Sequence, residues 1–273
     1  MALEVEAQVA PGAAFQQRSV AAAGFDVRYW EAGSGEPVIA LHGAGGVELS
    51  LAHELLADRF RVLVFEVPGF GPQENTSVLD PAGMAAVVLG FADALDLDRF
   101  AVLATSMSGP LACRLALDQP QRVVRLILEA PAALRGHGAR NPFTMTPQDL
   151  LRAFNRHPER VAHKAMPDPA FLGRVAPLVM GLVGPPFDAE LADALGDLAV
   201  PTLVIYGLED GLTPPEAGRE FRVRIPQCTY ALVYDAAHDV QGDRPEAFAD
   251  LVGDFLARGQ QFLVPDADSR INP

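Results

Sequence analysis

Three residues whose types together support nucleophilic catalysis lie far apart in this chain: Ser106, Asp210 and His238. Each follows an apolar run. Ser106 stands in "AVLATSMSGPLACRLALDQP" (101–120), where a strand-like segment meets a helix-like one. A turn tight enough to lift a serine oxygen clear of a sheet tolerates only small residues two before and two after the nucleophile. Those positions hold Ala104 and Ser108, followed by Gly109. The turn is therefore sterically allowed although the usual glycines are absent. It would place the serine at the start of a helix, where the dipole and free amides favour developing negative charge.

The other parts of an acyl-transfer site occur in a consistent chain order. "LHGAGG" (41–46) ends an earlier strand and offers backbone amides with little side-chain obstruction. Ala44 would supply one oxyanion donor and Met107 the other, since such holes combine the residue after the nucleophile with one from the early loop. Asp210 in "YGLEDGLTPP" and His238 in "YDAAHDVQGDRPEAF" each come just after a strand-like run. A serine, an acid and a histidine at carboxyl ends of parallel strands can converge above a sheet although scattered in sequence.

The elements that must position them alternate between strand and helix, the pattern of a doubly wound, mostly parallel sheet. Strand-like runs lie at 19–33 (two, around a glycine turn), 37–43, 61–69, 100–104, 122–131, 201–207 and 229–237, eight in all. Helical spacing occupies 50–60, 82–97 and 244–259; in the last, Phe248, Leu251, Val252, Phe255 and Leu256 share one face. From 135 to 198 the alternation stops. "TPQDLLRAFNRHPER" begins a helix with Thr146 as N-cap and Pro147 at the first position. "DPAFLGRVAPLVMGLVG", interrupted at Pro177, and "FDAELADALGDL" continue in helical spacing. The expected organisation is a core of residues 1–134 and 199–273, with a small helical cap, 135–198, inserted after the sixth strand.

Composition narrows the partners. Twenty-one Lys and Arg against 35 Asp and Glu leave a formal charge of −14, which repels phosphate backbones and anionic lipid. A nucleic-acid or membrane partner is not expected, and the oligomeric state is not legible. Only Cys113 and Cys228 are present, in no metal-ligand or redox spacing. The first twenty residues lack the basic start and apolar core of a signal peptide, and no uncharged apolar run is long enough to span a bilayer. The expectation is a cytoplasmic protein.

With its motifs in this order, the chain resembles the α/β-hydrolases over about residues 19–259, including "EVPGFG" (66–71) and "RPEAF" before the final helix. The resemblance implies Ser106 as nucleophile, Asp210 as acid, His238 as base and the Ala44 and Met107 amides as oxyanion hole, with no metal or organic cofactor. The substrate would be a small-molecule acyl compound, most readily a carboxylic ester, with thioesters and lactones close behind. The chain departs from the family at Ala104, Ser108 and Glu66, where glycines and an aspartate are commoner. The resemblance also makes Glu129, at the end of "LILEAP", a rival for the acid, because some members carry it after that strand, and it makes His42 a brace for its loop. A serine nucleophile argues against dehalogenase and epoxide-hydrolase chemistry, which use aspartate.

Two other readings compete. One is a carbon–carbon bond hydrolase of ring-fission products, a group that usually shows an Asn near the serine and a Trp just after the histidine; Ala104, Thr105 and "HDVQ" offer neither. The other is a receptor-like member that binds a ligand with little turnover. Between 135 and 164, six basic residues (Arg135, Arg140, Arg152, Arg156, Arg160, Lys164) are set against only Asp149 and Glu159. They would either read a substrate carboxylate or, with Arg152, Arg156 and Arg160 at i+4 spacing, form a solvated helix face.

Overall fold

In the computed structural model, residues 12–136, 138–160, 169–259 and 261 are described. Eight strands form one sheet: β1 (Gln16–Ala22), β2 (Phe25–Ala32), β3 (Pro37–Leu41), β4 (Arg61–Phe65), β5 (Phe100–Thr105), β6 (Val123–Glu129), β7 (Thr202–Gly207) and β8 (Cys228–Val233). Their spatial order is β1-β2-β4-β3-β5-β6-β7-β8. The first two strands are antiparallel and the other six run parallel. All six parallel strands therefore end on one edge, and register sets Thr105 beside Glu129 and Glu129 beside Ile205.

Period-two alternation within strands explains how both faces are filled. Ile39, Leu63, Phe65, Val102, Leu128, Val204 and Tyr206 pack on one side. There they meet α2 (Pro81–Ala94), α3 (Gly109–Asp118) and α7 (Gly218–Arg224). Val38, Val62, Val64, Leu103, Ile127 and Ile205 pack on the other. Their partners are α1 (Leu51–Ala57), α8 (Val240–Asp243) and α9 (Pro245–Arg258). Helix α7 is an addition to the expected pattern, since its sequence GREFRVR buries only Gly218 and Phe221 and shows no apolar stripe.

Between β6 and β7 lie α4 (Pro147–Phe154), α5 (Pro169–Val183) and α6 (Ala189–Ala194). Thr146 caps α4 through its side chain, accepting from Asp149 N. Two details differ from expectation. Pro177 does not interrupt α5 but lies inside it; the missing N–H removes one ladder bond, to Gly173, and packing on α2, α3 and the turn after β5 holds the remaining turns. Helix α4 stops at Phe154, since Asn155 is extended with φ −129° and ψ 129°. Arg156 and Arg160 therefore do not continue a helical face from Arg152, and Lys164 lies outside the described residues. No helix among the described residues is long and apolar enough to cross a membrane.

Candidate active site

Ser106 is the residue at which β5 turns into a short 3₁₀ turn (Ser106–Ser108) and then α3. Its φ is +49°, a region that non-glycine residues seldom adopt. Three contacts hold the turn. The Ser106 carbonyl accepts from Ala132 N at 2.8 Å. A Cβ on Gly109 would approach Pro131 Cβ to 2.6 Å, so the helix lies against the end of β6. The buried Ser108 hydroxyl donates to the His42 carbonyl at 2.6 Å, which explains how a serine fits where glycine is usual: it is small and its polar atom is paired.

His238 and Asp210 meet Ser106 from the neighbouring strand ends. His238 Nε2 lies 2.9 Å from Ser106 Oγ and its Nδ1 lies 2.8 Å from Asp210 Oδ2. The other Asp210 oxygen accepts from Leu212 N at 2.8 Å and Thr213 N at 2.9 Å. The carboxylate is thus aimed by its own turn. Its side chain is wholly shielded from solvent and that of His238 nearly so. Burial by itself would push the imidazole down, but the charge and hydrogen bond of Asp210, aided by Glu129 and Asp239, leave its pKa above the ordinary histidine value.

The loop after β3 closes the far side. A Cβ on Gly43 would sit 3.6 Å from Ser106 Cβ, and Gly46 N donates to Gly43 O at 3.2 Å. Ala44 follows Gly43, and Met107 lies in the 3₁₀ turn that leads into α3. His42 is a brace: Nε2 accepts from Val67 N at 3.1 Å, so the proton is on Nδ1, which donates to Gly43 O at 2.7 Å. Burial pushes its pKa down to about 4, keeping it neutral.

Glu129 makes no hydrogen bond to His238. Its oxygens accept from Thr105 Oγ1, Gln241 N and Gln241 Nε2. Of the two carboxylates in question, Asp210 alone is hydrogen-bonded to the imidazole.

Sequence reasoning missed the residues that fasten this geometry to the segment between β6 and β7. The Phe154 ring stands edge-on to His238, with centroids 5.1 Å apart. Phe154 O accepts from Asp239 N at 2.8 Å, and Ala153 O from Gly211 N at 3.2 Å. The buried Asp243 carboxylate accepts from the amides of Arg156, His157 and Ala237, each at 2.8 Å. Arg156 pairs with Glu209 at 2.8 Å, and Arg160 donates to the Asp243 carbonyl. These basic residues are used in tethering the Asp210 and His238 loops. Opposite them, Phe70 packs on both His42 and Phe171.

A nucleophile–base hydrogen bond, a buried acid orienting the base and a helix N-terminus beside the serine are the requirements for attack on an acyl carbon. The model of the alpha/beta hydrolase family matches residues 38–251. Among characterised proteins, the 2-hydroxy-6-oxo-6-phenylhexa-2,4-dienoate hydrolase of Burkholderia cepacia is 28% identical over 265 residues, covering 86% of this chain and 92% of its own. The pimeloyl-(acyl-carrier protein) methyl ester esterase of Vibrio campbellii is 30% identical over 253 residues, covering 84% and 98%. A solved meta-cleavage product hydrolase from Pseudomonas fluorescens IP01 superposes with a TM-score of 0.75 at 22% identity, covering 88% of this chain and 97% of that one.

Proposed function

The chain belongs to the alpha/beta hydrolase family, and we propose that it is a serine-dependent hydrolase of small or medium acyl compounds, carboxylic esters foremost, acting through an acyl-enzyme on Ser106. His238 Nε2 takes the serine proton as Oγ attacks the acyl carbon, and Asp210 holds the imidazole in the reactive tautomer and supports its charged form. The amides of Ala44 and Met107 receive the oxyanion. His238 then protonates the leaving alcohol, and water, activated by the same imidazole, releases the acid. The segment 135–198 acts as a cap on the core formed by the remainder of the chain, with Phe154 and Phe171 as its apolar wall.

The observation that carries this reading is the unbroken chain Ser106–His238–Asp210, closed at 2.9 and 2.8 Å with the serine held at positive φ. A second reading, hydrolysis of a carbon–carbon bond, is favoured by the names of several relatives. Two residues weigh against it. Thr105 points its hydroxyl away to Glu129, and the residue after His238 is Asp239, whose Oδ1 accepts from Gly242 N at the start of α8. Neither presents an amide or indole to a substrate.

A fluorophosphonate probe and a panel of aryl esters test the proposal together. The probe should label Ser106 and lose its target in Ser106→Ala. The acetate and butyrate should be hydrolysed, with rates falling for long acyl chains. An adduct on another residue would refute the nucleophile assignment. A labelled protein that cleaves a vinylogous diketone ring-fission product but ignores esters belongs to the second reading; ligand binding without turnover of either indicates a receptor.

A further inference from the structure

Glu129 is a fully buried carboxyl group in the site for which the reaction above has no use. Its hydrogen-bond partners belong to elements carrying the nucleophile or the base. Oε2 accepts from Thr105 Oγ1 at 2.8 Å and from Gln241 Nε2 at 2.9 Å, and Oε1 accepts from Gln241 N at 2.9 Å. Thr105 immediately precedes Ser106, and Gln241 follows His238 by three residues in α8. Gln241 is held from its far side as well: Ser50, the N-cap of α1, donates to its Oε1 at 2.9 Å.

We propose that Glu129 is a positioning residue for His238: as a carboxylate it fastens the base's loop to the end of the nucleophile's strand, and its charge supports the imidazolium formed when Ser106 gives up its proton. This rests on the reading of Ser106 as nucleophile and His238 as base. The two Gln241 groups can only donate, so a protonated acid would have to turn its hydrogen onto the Thr105 hydroxyl, which would then lose its own acceptor; the arrangement favours the anion, the form that prevails above about pH 7. The charged groups facing the pair are few. Burial and the charge of Asp239 push the Glu129 acid up to about 7, against the Gln241 amide, Thr105 and His238, which pull it down. His238 is faced in turn by Asp210, Glu129 and Asp239. Beyond Ser50, His53 is held neutral by burial, its pKa down to about 4. Proton transfer to His238 therefore strengthens the case for an ionised Glu129, and the ionised Glu129 stabilises the protonated base.

The test is the pH dependence of fluorophosphonate labelling between about pH 5 and 9 in the natural protein, Glu129→Gln, Glu129→Asp and Thr105→Val. In Glu129→Gln the inflection should move down by about half to one pH unit as a negative charge is lost near the imidazole, and the alkaline plateau should fall about tenfold. Glu129→Asp keeps the charge and should restore the inflection in part. Should Glu129→Gln fail to fold, Thr105→Val gives the same reading: without that donor Glu129 stays protonated to higher pH, and the inflection again moves down. NMR titration of the His238 ring, assigned by its loss in His238→Asn, reads the same shift with no probe, so a natural protein that resists labelling counts against Ser106 while leaving this proposal testable. An inflection and ring pKa unchanged or raised in the variants would overturn it and make Glu129 a structural tie alone.

Discussion

At the scale of single residues, Ser106 holds a backbone conformation that a non-glycine residue adopts only when its surroundings impose it, at a cost on the order of 1–3 kcal/mol. Gly109 and Ser108 impose it, one by close approach to Pro131 and the other by its bond to His42. The two carboxylates near the site divide by contact. Asp210→Asn offers the imidazole an amide that can favour the wrong tautomer, and kcat for an aryl ester should fall by about 10⁴ with the fold intact. Glu129→Gln should cost only about tenfold, since it leaves the 2.8 Å pair of His238 and Asp210 in place. Steady-state kinetics of the two variants check this, and the reverse ranking would move the acid to β6. In the natural protein kcat/KM should rise with pH as His238 loses its proton. Its midpoint should lie above the usual value of about 6.5, because burial of the imidazole, which lowers its pKa, is outweighed by Asp210, which raises it.

At the scale of elements, the joint between the end of α4 and α8 does the positioning. Asp243 gathers three backbone amides: two partly buried ones from residues that follow α4 and a buried one from the residue before His238. Its removal would leave those amides without this acceptor and free the His238 loop from the segment that follows α4. Asp243→Ala should destabilise the protein by about 3 kcal/mol and slow labelling of the folded fraction. Asp235→Ala removes only partly exposed ion pairs with Arg156, His157 and Arg244 and should leave the unfolding midpoint almost where it is. Urea unfolding distinguishes them; equal midpoints would show that the Asp243 amide cluster adds nothing. The same joint explains where α4 ends. Helical spacing in the sequence runs on to Arg160, yet the helix stops at Phe154, because the amides of Arg156 and His157 that would extend it are taken by the Asp243 carboxylate. Pro158 has no N–H with which to resume the ladder.

At the scale of the whole molecule, buried titratable groups link stability to pH. Burial holds His42 and His53 neutral, each with its pKa down to about 4. Between about pH 6.5 and 4 the unfolded chain binds protons that the native histidines refuse, so stability falls as pH falls through that window, by up to about 3 kcal/mol per histidine. Glu129, raised to about 7 by burial, acts in the opposite direction, since the native state holds its proton between about 4.5 and 7. His238, raised above its ordinary value, is protonated in both states below about 6.5 and adds no slope there. Two histidines outweigh one carboxyl group. The Tm should therefore drop between about pH 6.5 and 5, and drop less in His53→Gln; equal drops in the two proteins would mean that His53 is not buried neutral.

Much of this molecule is legible in the linear chain. Strand and helix spacing, the small residues around Ser106 and the order serine, acid, histidine depend on local sterics and periodicity, which a sequence displays directly. The choice between Asp210 and Glu129 does not. Both lie at or just beyond the ends of neighbouring parallel strands, and which one meets His238 depends on the path of a loop pinned by Phe154 and Asp243, whose partners are remote in sequence and adjacent only after folding. The basic run from 135 to 164 is ambiguous for the same reason, because the carboxylates that receive Arg156 and His157 lie on loops after β7 and β8. Sequence by itself determined which chemical groups were present and on which kind of element. Only the tertiary structure decided which groups touch, because sheet register and loop packing join residues whose separation along the chain carries no information about their distance in space.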